Sequence, residues 1–68
     1  MNTTDIMKAA IAANDGKIGP TIEYAKALTH DHPDAWRAVR ILRRRAVAGA
    51  KRFIVTRSGF ITVEKADG

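Results

Sequence analysis

The spacing of apolar residues sets out a run of short elements and changes period once. Ile6, Met7, Ala10 and Ile11 fall at i, i+1, i+4 and i+5, one stripe of a short helix. Thr3, Thr4 and Asp5 precede the stripe with side chains suited to capping, and the alanines among residues 9–13 favour the helical state. Asn14-Asp15-Gly16 closes this helix, with Gly16 able to take the left-handed conformation. Residues 16–20 leave room only for a very short extended piece at Lys17 and Ile18. Gly19-Pro20 then resets the chain, because proline suits the first helical position. In TIEYAKAL the residues Ile22, Ala25 and Leu28 make one side of a second helix, with Tyr24 at its shoulder and Glu23 and Lys26 in water. Two turns do not persist unless they pack.

THDHP, residues 29–33, is a tight joint. Pro33 can open a third helix, with Asp34 near its positive end. On a helical wheel Ala35, Val39, Leu42 and Ala46 lie in a narrow arc that should face the core, and Gly49 is expected to end the helix. After Lys51 the period becomes alternating, the mark of strands. A two-residue turn at Ser58-Gly59 would set Phe53 opposite Glu64. A three-residue loop, Arg57-Ser58-Gly59, instead pairs Val55 with Ile61 and Phe53 with Val63. That register gives one apolar face and places Gly59 where such loops demand a left-handed residue. Ile54, Thr56, Phe60 and Thr62 then form the outer face, and residues 66–68 a frayed tail.

Charge adds a sharper signal. Between Ala35 and Val63 stand eight basic residues and no acid, whereas the chain before contributes −2 and the chain after −1 to the net charge of +5. Five of the eight are arginines on the third helix: Arg37, Arg40, Arg43, Arg44 and Arg45. Concentrated positive charge with no internal counterpart points to a polyanionic partner. Arg37 and Arg40 are placed to read bases, with Arg44 a third. Arg43, Lys51 and Arg52 suit phosphates, and Arg57 lies at the hairpin tip. Arg45 borders the core side and is given no contact.

Other chemistries are poorly represented. The 68 residues suffice for one domain, and the lack of cysteine fits a reducing compartment without disulfides. Neither a leader pattern at Met1 nor a membrane-length apolar run is present, so a soluble, cytoplasmic protein is expected. His30 and His32 flank Asp31, but the spacing suits an ordinary polar turn better than a metal site. No nucleophile–base pair or phosphate loop stands out, so neither enzymatic activity, a cofactor nor a small-molecule ligand is expected. Trp36, the sole tryptophan, is expected to pack partly into the core, with stacking on a base or sugar the alternative. Tyr24 also leans to a structural role. Phe60 is either a cap on the strands or part of a contact between two copies.

The order of helix, short extended piece, helix, tight turn, basic helix and hairpin resembles the winged helix-turn-helix superfamily of DNA-binding domains. Ile22, Ala25 and Leu28 on the supporting helix carry the likeness, with Val39 and Leu42 on the next and Gly49 seven residues on. Arg45 stands where such domains usually show a second leucine. The resemblance implies an α+β fold in which three helices are followed by a C-terminal β-hairpin wing, spanning about residues 4–65. It implies a small regulator or architectural factor, of a phage or mobile-element type by its size, on double-stranded DNA. In such folds the second helix of the pair enters the major groove while the wing follows the backbone. One helix reads few base pairs, so a homodimer on a two-fold site is the expected arrangement. Its contact would be the first helix or the outer hairpin face with Ile54 and Phe60. Two rivals use the same arginines: binding of RNA or the ribosome, or inhibition of a host protein or nucleoprotein through the basic face.

Overall fold

A computed structural model describes residues 1–66 of the chain. The architecture is α+β. Three helices, α1 (Thr3–Ala13), α2 (Ile18–Ala27) and α3 (Ala35–Arg45), are followed by an antiparallel hairpin of β1 (Ala50–Val55) and β2 (Ile61–Lys65). A single 3-10 turn, Leu28–His30, leads out of α2. None of the helices is long and apolar enough to cross a membrane.

α1 buries the stripe expected of it, Ile6, Met7, Ala10 and Ile11. Its cap lies one residue before the expected group: the Asn2 side chain accepts the Asp5 amide at 2.8 Å, while Thr3 and Thr4 are already helical. Asp15 and Gly16 both adopt positive φ and turn the chain sharply. A Cβ on Gly16 would run into the carbonyl oxygen of Phe53. This close approach lets the Phe53 amide donate to the Gly16 carbonyl at 2.7 Å. Of the short extended piece foreseen at Lys17 and Ile18, Lys17 forms an isolated antiparallel bridge to Arg52, while Ile18 is already helical.

α2 begins earlier than its sequence suggests. Ile18 is the first helical residue, which puts Pro20 third instead of first. The change costs no hydrogen bond, because amides in the first turn have no partner within the helix in any case. Ala25 and Thr21 are buried on this helix, with Ile22 and Leu28 packed against the core at partial exposure. Thr21 is 0% exposed, and its hydroxyl finds no hydrogen-bond partner among the described residues.

α3 buries Ala35, Ala38, Val39 and Leu42, and Ala46 packs at the edge of the core. The joint before it is a turn at Pro33-Asp34 that feeds the helix, with the Ala35 amide donating to the His32 carbonyl at 2.8 Å. The helix stops at Arg45, four residues before the glycine expected to end it. Ala46 has φ −79° and ψ 58°, the geometry of an inverse γ-turn, and the Val47 amide donates to the Arg45 carbonyl at 2.8 Å. Gly49 belongs to the following turn into β1.

The hairpin has the three-residue loop. Phe53 pairs with Val63, Val55 with Ile61 and Ile54 with Thr62. Thr56 closes the loop: its amide donates to the Phe60 carbonyl at 2.8 Å, and its hydroxyl accepts the Phe60 amide at 3.0 Å. Gly59, with φ +87°, supplies the left-handed residue. Of the apolar inner face, Phe53 and Ile61 are buried and Val63 packs on the core, whereas Val55 is 40% exposed. An irregularity between Ala50 and Arg52 inserts Lys51 as an extra residue. Of the tail expected to fray, Ala66 is tied by its amide to the Gly49 carbonyl at 2.8 Å, and residues 67–68 lie outside the described residues.

Two core substitutions should move stability in opposite directions. Leu42→Ala, at a fully buried position, should cost about 2–5 kcal/mol as a core truncation. Thr21→Val should add about 1 kcal/mol by replacing an unpartnered buried hydroxyl with a methyl. Urea unfolding of both variants checks the pair.

Candidate nucleic-acid interface

Because α3 sets its narrow apolar stripe against α1 and α2, the other side is left to solvent. At about 100° per residue, Arg37, Arg40, Arg43, Arg44 and Trp36 share an arc of about 120°. All five are exposed. None of these four arginines forms a salt bridge among the described residues, where the ion pairs are Lys26–Glu23 and Lys51–Glu64, each at 3.8 Å. The last turn of α3 carries three consecutive cations, which suit the negative end of the helix dipole. Apart from this end effect, Arg37, Arg40, Arg43 and Arg44 have no ion-pair partner among the described residues.

Arg45 departs from the set. It is half-buried, and its guanidinium donates from Nη1 to the Ile61 carbonyl at 2.7 Å. The same group lies over the Phe60 ring, 4.8 Å from its centroid. Where a leucine would bury itself at the end of this helix, Arg45 instead straps α3 to the start of β2. A charged donor on a backbone carbonyl, backed by an aromatic face, makes a directional strap that an aliphatic chain does not. Phe60 thereby acquires a role on the hairpin, although 56% of it remains exposed.

The hairpin residues are distributed less compactly. Arg57 is exposed in the loop. Lys8 of α1 lies next to that loop, since its Nζ sits 3.3 Å from where a Cβ on Gly59 would be. Lys51 approaches Glu64 across the strands at 3.8 Å, with both side chains about half exposed. Such a pair contributes little to stability, but it offsets part of the local charge. Arg52 stands opposite Glu64 and bridges to Lys17, and it lines a groove against α1 together with Lys8 and Asp15. Of the seven residues singled out by sequence, four are therefore gathered on α3, one sits on the loop, and Lys51 and Arg52 lie at the far end of the hairpin, where Lys51 pairs with Glu64.

Lys8 and Lys17 escaped the sequence reading. Both lie in the stretch where acids outnumber bases, and only the docking of α1 and its following turn on the hairpin brings them to it. Trp36 was expected partly in the core, yet 55% of it is exposed. It stands second on α3 and points from the basic side, while the core beneath is filled by Ala35, Ala38 and Val39. Tyr24 is also exposed, at 40%. Among the described residues no three acidic, histidine or cysteine side chains converge as metal ligands would. No family model, curated protein or solved structure matches the chain.

Loss of the strap gives a direct test of its role. Arg45→Ala should cost about 1.5–3 kcal/mol, the range for a charged hydrogen bond. Arg43→Ala, with no such partner, should stay within about 0.5 kcal/mol of the parent. Denaturation midpoints of the two variants compare them.

Proposed function

We propose that the protein is a small double-stranded DNA-binding protein of winged helix-turn-helix type. In this reading α3 enters the major groove and the hairpin serves as the wing. The observation that carries it is the set of four exposed guanidiniums on one side of α3, free of carboxylates and backed by a buried stripe that fixes their direction. Arginine's planar fork can donate twice to guanine or to a phosphate, and a rigid helix offers several such forks at groove spacing. The helix–turn–helix of α2 and α3, followed by a loop bearing Arg57, supplies the matching shape.

Roles follow from position. Arg37, Arg40 and Arg44 face outward along α3 and are assigned to base edges, with Arg43 on phosphate. Arg57 and Lys8 flank the loop and are placed for the sugar–phosphate backbone. Lys51 and Arg52 contribute long-range attraction, moderated by Glu64. Arg45 is assigned no DNA contact, because its guanidinium is committed to the hairpin.

Arg40→Ala combined with Arg44→Ala should weaken binding to duplex DNA by at least tenfold, in line with about 1–3 kcal/mol for each good base contact. The thermal melt should stay close to that of the parent, since both side chains are exposed. Arg57→Ala should cost less and affect different sequences alike. Fluorescence anisotropy on duplexes selected from a random pool reads these effects, with structured RNA as competitor. Undiminished binding by the double variant, or preference for the RNA, would overturn the assignment.

A further inference from the structure

The sole tryptophan lies in water on the basic side of α3, next to a depression of about 350 Å³ lined by Trp36, Val39, Arg40 and Arg43. An indole left open in this way sets aside the apolar burial that a small domain draws on for stability. Neither guanidinium covers it: the one cation–π pair among the described residues is Arg45 over Phe60. The notch therefore combines an open aromatic ring, an apolar floor at Val39 and two cations without acids. By the helical rise, Arg40 and Arg43 stand about 6 and 10.5 Å along the axis from Trp36. That span is on the scale of one nucleotide with its flanking phosphates.

We infer that this notch takes a single unpaired nucleotide, its base stacked on the Trp36 indole and its phosphates held by Arg40 and Arg43. The inference rests on the nucleic-acid reading above and sharpens it: the preferred substrate is a duplex interrupted by an unstacked base, not an unbroken one. A nucleotide joins the π-face of its base to the negative charge of its phosphate, which is the combination the notch presents in complement. A carboxylate-bearing peptide would answer the arginines and leave the indole unused. A paired base lies inside its stack and offers the indole only an edge, so the ring has its full partner only where pairing is broken. Arg40 then has two uses, a base edge in an intact duplex and a phosphate where a nucleotide is displaced.

The test uses the intact protein with a blunt duplex, the same duplex bearing one bulged thymidine, and a polyglutamate peptide. Anisotropy of labelled DNA gives affinities, and emission from the single tryptophan reports directly on the ring. The expected result is about tenfold tighter binding of the bulged duplex, with quenching that the blunt duplex does not produce. Trp36→Ala should abolish the preference and Trp36→Phe should keep most of it, with both variants melting near the parent. Equal affinity for the two duplexes without quenching would overturn the nucleotide notch and leave duplex binding standing. A preference that survives Trp36→Ala would likewise overturn it. Binding of neither DNA would remove both readings, and quenching by polyglutamate alone would assign the notch to an acidic protein partner.

Discussion

Burial of one narrow stripe on α3 fixes everything that the basic surface can do. Ala35, Ala38, Val39 and Leu42 are small or compact, and all are buried against the other helices. Alanine at two of these positions lets the helices approach closely, so α3 is held at a definite rotation about its own axis. Five arginines in nine residues repel one another, and a helix of 11 residues does not stand alone in water. Tertiary packing must therefore supply its stability. The same packing decides which way the guanidiniums point.

The hairpin is held by different means at its two ends. Near Lys51 it is tied to the α1–α2 turn, where Gly16 permits a backbone approach that any side chain would block. Near its loop it is tied to α3 by Arg45, which grips the Ile61 carbonyl and lies on Phe60. Between these ties Phe53 and Ile61 close the core from below. Two polar ties and two apolar side chains are enough to keep a two-stranded ribbon in place, although such a ribbon is marginal by itself. The loop with Arg57 is thus kept in fixed relation to the end of α3.

Much of this was legible from the chain because local rules and tertiary demands agree. The Ile6–Ile11 stripe, the Val39–Leu42 side and the hairpin register each follow from periodicity, the register because the three-residue loop alone of the two turns puts Phe53, Val55, Ile61 and Val63 on one face. Errors came where local signals compete. Gly49 looked like a helix terminator, but Ala46 turns the chain earlier through a γ-turn that carries no strong sequence mark. Pro20 looked like a first residue, but any of the first three positions accepts it. Trp36 was expected inside because large apolar residues usually are; its place on the wheel, between Arg40 and Arg43, argued the opposite. Thr21 in the core and Lys8 beside the hairpin loop depend on how α1, α2 and β1 meet, which no single segment encodes.

The chemical logic is one of charge held in place without neutralisation. Four guanidiniums are directed outward by a packed rod, and among the described residues none of them forms a salt bridge, the ion pairs there being Lys26–Glu23 and Lys51–Glu64. A polyanion releases the repulsion among them and loses its own condensed counterions in doing so. The dependence of duplex-DNA affinity on salt measures this directly. The account predicts a linear fall of log K with log salt concentration, with a slope of roughly −0.9 per phosphate and a total near −5 for about five to seven contacts. A slope close to zero, or an affinity that survives high salt, would contradict the account, because the exposed arginines of α3 would then neutralise no phosphates.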